Sequence, residues 1–355
     1  MSKRKKLDIN TLLRENIKNI KPYASARDEF TGVAQVYLDA NENPYGSIDG
    51  SMNNRYPDPY QTNLKQIISP IKNIPVNQIF LGNGSDEAIE LLFKAFCTPG
   101  KDKTIISSPT YGMYQVCAET NDIQIIDIKL KEGFELDVDA ILDIQTKETK
   151  ILWVCTPNNP SGNAFFTSSI YKLLDNFNGI VVLDEAYIDF SDEPSWTTNL
   201  QYYDNLVVLQ TFSKAWGLAN IRLGMMFASE EIIKIINKIK MPYNINGLVQ
   251  DYAINAIKNG EAKKNEYVLN ILAERKRLET ELIKLACVEK VFKSDANFLL
   301  VKTTAPKEIY SYLISKSIVT RERSKLHLCE GGIRITVGTP LENDILLKSL
   351  AEYKN

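Results

Sequence analysis

The sequence predicts an α/β protein in two parts: a large three-layer αβα domain with a mainly parallel sheet, then a smaller α/β domain at the C-terminus. Three observations predict it. The strand-like segments between residues 78 and 211 are short continuous apolar runs rather than apolar–polar alternations. Runs of that kind belong to strands covered on both faces. Helical patterns separate them, as an alternating α/β order requires, and after about Pro242 the texture changes to a long helical stretch with a second, shorter set of strands.

The elements follow in order. "QIFLG" (78–82) is a strand leading into "SDEAIELLFKAF", where Ile89, Leu92, Phe93 and Phe96 recur at helical spacing. "TIISS" (104–108), "IQIIDIKL" (123–130), "KILWVC" (150–155), "GIVVLD" (179–184) and "NLVVLQT" (205–211) continue the sheet. Beyond Pro242, "NGLVQDYAINAIKNGEAKKNEYVLNILAERKRLETELIKL" reads as long helix with a break near Gly260. "ANFLLVK", "SIVTRE" and "GIRITVG" are the later strands, and "APKEIYSYLISKS" and "PLENDILLKSLAEY" the later helices. The division is residues 41–245 for the large domain and 246–355 for the small one, with residues 1–40 packing against the small domain.

Bulk properties exclude several function classes. With 355 residues and 44% hydrophobic composition the chain can bury a sizeable core in about two domains. A formal net charge of −2 gives no global field toward nucleic acid or anionic lipid. The basic opening "MSKRKK" is followed by no apolar stretch of the kind a secretory signal needs, and no apolar run approaches the roughly 18 residues of a membrane span. Five cysteines lie scattered without CxxC spacing, which reads as reduced, buried thiols in a cytoplasmic protein. His327 is the only histidine, so no zinc site or Ser-His-Asp triad is expected and no metal is invoked.

In sheets of this type ligands bind beyond the carboxyl ends of the strands. The segments there are "GNGSDE", "SPTYGMY", "TPNNPSG", "DEAYIDF" and "FSKAWGLANIR". Lys214 follows an apolar strand, where an unpaired ammonium is costly; it either reaches to solvent or is held for its amine chemistry. A carbonyl cofactor bearing a phosphate and a pyridine ring would use such a lysine, with an acid for the ring nitrogen. Asp184 ends another apolar strand and either faces such a nitrogen or caps the next segment. Tyr187 and Asn159 could donate to a ring oxygen, although a half-buried tyrosine and a turn-forming asparagine explain them as well. Tyr111 is a ring-stacking candidate or a core aromatic. Gly82, Gly84 and Ser85 open a helix whose N-terminal amides suit a phosphate, with Ser213 and Arg222 available to complete a cradle. Asp86 and Glu87 there fit the helix dipole with or without a ligand.

Taken together, "TPNNPSG", "LDEAYIDF" and "TFSKAWGLANIRLG" resemble, in order and separation, the fold-type I pyridoxal-phosphate-dependent aminotransferases. "LDANENPYG" (38–46), "RYPDP" (55–59), "GNGSDE", "PTYGMY" and "IRITVGTP" (333–340) narrow the resemblance to the histidinol-phosphate aminotransferase family, over nearly the whole chain. The resemblance implies pyridoxal 5′-phosphate as cofactor, joined to Lys214 as a Schiff base, and transamination of histidinol phosphate with 2-oxoglutarate in histidine biosynthesis. It implies Asp184 at the ring nitrogen, Asn159 and Tyr187 at the ring oxygen and Tyr111 on the ring face. Ser85 and Asp86 (through their backbone), Ser213 and Arg222 would hold the phosphate. Tyr56 would reach the phosphate of the other subunit of a homodimer. Arg334 and Arg321 would grip the substrate's anionic end, with Arg323 an alternative to Arg321, and Tyr23 and Asn41 would cover the substrate. An aromatic amino-acid aminotransferase or a threonine-phosphate decarboxylase would use the same cofactor residues. A ligand-sensing regulator would need a DNA-binding segment, for which the region before "LDANENP" is too short.

Overall fold

The structure, a computed structural model, describes residues 7–22 and 34–353. The first half of the chain contains α1 (Glu15–Asn19), α2 (Thr62–Lys72), β1 (Ile79–Asn83), α3 (Gly84–Phe96), β2 (Lys103–Ile106), α4 (Met113–Thr120), β3 (Gln124–Asp127) and α5 (Val138–Ile144). Next come β4 (Thr149–Cys155), α6 (Thr167–Asn176), β5 (Ile180–Asp184), β6 (Leu206–Thr211), β7 (Leu223–Ala228) and α7 (Glu230–Ile239). The remainder is α8 (Gly247–Leu282), β8 (Val288–Val291), β9 (Phe298–Thr303), α9 (Pro306–Ser315), β10 (Arg321–Glu322), β11 (Gly332–Thr336) and α10 (Pro340–Glu352).

The large sheet has seven strands in the order β1-β7-β6-β5-β4-β2-β3. Its pairings are parallel except where β7 runs antiparallel between β1 and β6. Every residue of β5 and β6 is buried, as expected for strands covered on both faces. Side chains alternate between two cores. Leu152, Val154, Val181, Leu183 and Val208 point to one core, where α2, α6 and the start of α8 pack. Ile151, Trp153, Val182, Val207 and Leu209 point to the other, against α3, α4 and α7. The three-layer reading of the sequence is borne out.

Three details differ from the sequence expectations. β7 was not anticipated, because "LGMMFA" continues from the polar stretch before it without a turn signal of its own. The expected break near Gly260 is absent: α8 runs unbroken for 36 residues. One glycine inside a helix costs only about 1 kcal/mol, and packing at both ends of α8 offsets it. Ala253 and Ile257 near its start join the large core, whereas Leu278 and Leu282 at its end join the small one. The helix lies wholly beyond the expected boundary at 245, yet its start belongs to the large core and its end to the small one.

The third difference concerns the N-terminal segment, expected against the small domain. In its described residues 7–22, Ile9, Leu12, Leu13 and Ile17 pack into the α3/α7 core of the large domain. Arg14 Nη1 donates to the Lys94 carbonyl at 2.9 Å, and Lys238 Nζ to the Ile17 carbonyl at 2.9 Å. The apolar spacing of the segment buries against the nearest helix layer; its Arg14 satisfies a carbonyl in the last turn of α3, and Lys238 satisfies one of the segment's own.

The small domain carries an antiparallel sheet in the order β10-β11-β9-β8, backed by α9, α10 and the end of α8. β10 and β11 place Arg321 directly opposite Arg334.

One glycine fixes how closely β7 approaches the loop after β1. A Cβ on Gly224 would lie 2.2 Å from the Gly84 carbonyl carbon and 2.3 Å from the Ser85 nitrogen, both backbone atoms. Gly224→Ala is expected to destabilise the protein by about 3 kcal/mol, at the upper end for overpacking because backbone must move. A urea midpoint unchanged from the parent protein would show that the contact is softer than its geometry implies.

Candidate active site

The C-terminal ends of the parallel strands surround one cavity that opens to solvent at its mouth. Ser85, Asp86 and Tyr111 line one side; Asn159, Asp184 and Tyr187 line the floor; Ser213, Lys214 and Arg222 close the other. Gly84, Cys155, Ala186 and Thr211 complete the wall.

The floor follows from strand alternation. Asp184 is the last residue of β5 and only 2% exposed. Its Oδ2 accepts the Tyr114 hydroxyl at 2.6 Å, and its Oδ1 accepts the Ala186 amide at 3.1 Å. Burial pushes its pKa up to about 6, while these two donors pull it down. Glu185, the next residue, points to the opposite face. There it accepts the Ser195 hydroxyl at 2.6 Å, the Trp196 amide at 2.6 Å and Gln210 Nε2 at 2.8 Å. Of the two adjacent acids, only Asp184 lines the cavity.

Lys214 sits just beyond β6. Burial lowers its pKa, and the nearby Arg334 and Arg222 charges lower it further, against the opposing charge of Asp184. Its Nζ lies 5.6 Å from the Tyr187 ring centroid. A partly desolvated amine among cations is the arrangement that makes a lysine nucleophilic at neutral pH.

The cation-rich corner is built by backbone. Gly84 adopts φ +69°, its amide donates to the Arg222 carbonyl at 2.7 Å, and a Cβ on it would meet Arg222 Nη2 at 2.7 Å. That corner admits glycine alone, and α3 starts there with its N-terminus toward the cavity. Asp86 does not leave bare negative charge: Oδ1 accepts the Tyr111 hydroxyl at 3.0 Å, and Oδ2 pairs with Arg222 Nη2 at 3.1 Å. Glu87 turns away to accept the Asn83 amide at 2.6 Å and Asn244 Nδ2 at 3.1 Å. The loop amides and the Ser85 and Ser213 hydroxyls thus face the cavity beside a fixed guanidinium, a set suited to a phosphate group.

Asn159 is held from the small domain: Arg334 Nη1 donates to its Oδ1 at 2.5 Å. Its Nδ2 is left as the donor toward the cavity. Arg334 also lies over the Phe298 ring, 5.2 Å from its centroid, and feels the charges of Arg323 and Arg321. Arg334 thus reaches a cavity-lining residue, with Arg321 and Arg323 near it, but none of the three lines the cavity itself. The residue before Asn159 is structural: Asn158 is fully buried, and its Nδ2 donates to the Pro109 carbonyl at 2.9 Å and the Ser161 hydroxyl at 2.8 Å.

Other expected site residues lie apart. Tyr56 is half exposed and stacks on Tyr243 at 4.5 Å between centroids, outside this cavity. Asn41 adopts φ +54° and lines a separate groove with Glu42, Arg55 and Tyr56. Tyr23 lies outside the described residues. Tyr114, Cys155 and Thr211 were not anticipated. Tyr114 lies in "SPTYGMY", three positions after Tyr111 and on the first turn of α4.

Comparison with known proteins places this cavity in context. The sequence profile described as "Aminotransferase class I and II" matches residues 23–350. Histidinol-phosphate aminotransferase of Cytophaga hutchinsonii is 52% identical over 97% of this chain and 99% of its own length. That of Parabacteroides distasonis is 51% identical, with 98% and 99% covered. Among solved structures, histidinol-phosphate aminotransferase from Clostridium acetobutylicum is similar with a TM-score of 0.76 and 26% identity, covering 84% of this chain and 90% of that one. The Sinorhizobium meliloti enzyme in complex with pyridoxal-5′-phosphate shares the fold, with a TM-score of 0.77 at 21% identity over 88% and 89% of the two chains. With its cavity, its two-domain α/β architecture and nearly its whole length inside one pattern, the chain belongs to the aminotransferase class I and II family.

Proposed function

We propose that the chain is a pyridoxal 5′-phosphate-dependent transaminase. It converts L-histidinol phosphate and 2-oxoglutarate to imidazole-acetol phosphate and glutamate, a step of L-histidine biosynthesis. The observation that carries this is the meeting, in one cavity, of a lysine with a lowered pKa, a buried acid and a glycine-only anion corner. The residues fit the cofactor: the corner beside Gly84 leaves no room for a side chain, and the cavity offers donors, cations and a carboxylate, the chemistry that a phosphate, a ring oxygen and a ring nitrogen call for. When bound, pyridoxal 5′-phosphate supplies an electron sink for the negative charge that develops at the substrate Cα.

The chain's own residues do the rest. Lys214 Nζ would hold the cofactor and, as a free amine, would move the proton at the substrate Cα. Asp184 keeps a proton on the ring nitrogen. Asn159 Nδ2 and the Tyr187 hydroxyl donate to the ring oxygen, and Tyr111 covers the ring face. The Ser85 and Asp86 amides, Ser213 and Arg222 hold the cofactor phosphate. Arg334 and Arg321 take the substrate phosphate in one half-reaction and a carboxylate of glutamate in the other, since a guanidinium fork suits both. Tyr23 and Asn41 belong to the segment that covers the substrate.

The working unit of this reading is a homodimer in which Tyr56 serves the cofactor phosphate of the other subunit. Its position outside the cavity of its own chain supports this, as does the apolar surface of its loop, where Leu38, Tyr45 and Met52 are exposed. The cytoplasm is the compartment of this reading; all five cysteines are free and buried, and no helix among the described residues is long and apolar enough to cross a membrane.

The test is turnover by the purified chain with pyridoxal 5′-phosphate and 2-oxoglutarate. Glutamate is expected to form with L-histidinol phosphate at a kcat/KM at least tenfold above that with phenylalanine. Absence of glutamate with histidinol phosphate, or release of carbon dioxide from threonine phosphate, would sink this assignment.

A further inference from the structure

We propose that Tyr114 is a positioning residue for Asp184, holding its carboxylate ionised and aimed into the cavity. The proposal rests on the role given to Asp184 above. Tyr114 is fully buried on the first turn of α4, and its hydroxyl makes the shortest hydrogen bond to Asp184, at 2.6 Å. Its ring is fixed from both sides. On one it stacks on Trp153 at 5.0 Å and 14° between planes; on the other Tyr111 meets it edge-on at 5.5 Å. Trp153 is pinned in turn, with Nε1 donating to Thr104 Oγ1 at 2.9 Å, and Thr104 Oγ1 donating to the Ile151 carbonyl at 2.9 Å. These contacts hold the donor's ring in place; the chain carries Tyr111 at the cavity wall, enters α4 two residues later and delivers Tyr114 to the acid.

The chemistry sets the direction of the effect. A hydrogen bond from a neutral hydroxyl to a carboxylate favours the ionised form, opposing burial. Burial and the Asp184 charge hold the Tyr114 proton in place, so the phenol stays a donor throughout the neutral range. The other titratable groups facing Asp184 are Cys155 from β4, Asp86 from α3, Tyr111, Tyr187 and Lys214. Of these only Lys214 favours the carboxylate, and its charge is itself weakened by burial. Tyr114 is thus the main side-chain group opposing neutralisation of the acid.

Tyr114→Phe keeps the ring stack and deletes the donor. In the holoenzyme it is expected to lower kcat for histidinol phosphate about tenfold with KM within about twofold, the size of one lost bond to a charged group. Combined with Asp184→Asn, it should lower kcat by less than twofold further, because the group it serves is gone. A second readout needs no turnover. Asp184 has a folded pKa above its unfolded value, so its contribution favours folding below about 3.8 and is lost as pH rises toward about 6. Tyr114→Phe moves the upper edge of that window higher. In the full-length chain without cofactor, the melting temperature gap between parent and variant should widen by roughly 2–4 °C between pH 5 and pH 8. A gap that stays constant with pH, or an undiminished effect in the Asp184→Asn background, would overturn the proposal even if histidinol phosphate proves to be the substrate. Failure of histidinol phosphate turnover with a widening gap would instead retire the substrate assignment and leave this one standing.

Discussion

Lys214→Ala is expected to reduce transamination of histidinol phosphate by at least about 10⁴-fold, the upper end for loss of a positioned proton carrier. The loss should fall on kcat, since no other amine lines the cavity among the described residues to move a proton there. The same substitution should leave the fold intact, with an equal or higher melting temperature for the chain without cofactor. The sign follows from linkage. A lysine with a folded pKa below its unfolded value favours folding at high pH, and that contribution fades as pH falls from 10.5 toward the folded value. At neutral pH the partly desolvated ammonium therefore opposes folding, chiefly through its own desolvation and then through Arg334 and Arg222. Glutamate formation and differential scanning calorimetry check the two halves. Turnover above one thousandth of the parent rate would remove Lys214 from the role assigned to it.

Asp184→Asn should come second, with kcat lowered on the order of 10³-fold and the cofactor still retained on Lys214. The amide keeps the shape of the site and an acceptor for Tyr114, but supplies no negative charge to hold a proton on the ring nitrogen. Stability should move the other way. With a folded pKa of about 6 against 3.8 for a free carboxyl, the ionised acid costs roughly 3 kcal/mol at neutral pH. The cofactor-free variant should therefore gain stability over the parent as pH rises from about 4 to 6 and keep that gain above. Equal single-turnover rates for variant and parent would dismiss the electron-sink assignment. Equal pH dependence of unfolding would dismiss the buried charge.

The layered sheet and most of the cavity wall were legible in the sequence for one reason. Continuous apolar runs mark covered strands, and in a parallel sheet the polar residues that follow them all emerge at one end. Asn159, Asp184, Ser213 and Lys214 were found that way, each at the end of a run. What stayed hidden depends on packing between distant segments. Tyr114 stayed unassigned because its partner lies 70 residues away. β7 carried no turn signal, and its reversed direction is set by pairing with β1 and β6 rather than by its own residues. The N-terminal segment showed its apolar spacing but not which helix layer would receive it. Among the arginines, Arg334 meets Asn159 directly, whereas Arg321 is placed only by its register across β11.

The reversed direction of β7 has a consequence for protein engineering. Because β6 ends and β7 begins at the same end of the sheet, the connection from Phe212 to Arg222 carries both the Lys214 amine and the guanidinium beside Asp86. A circular permutation that opened the chain within this connection would unlink the two and should extinguish activity. New termini in the exposed turn between α5 and β4, around Lys147, would leave them on one tether. Libraries that shuffle segments between relatives should exchange the β6–β7 hairpin whole.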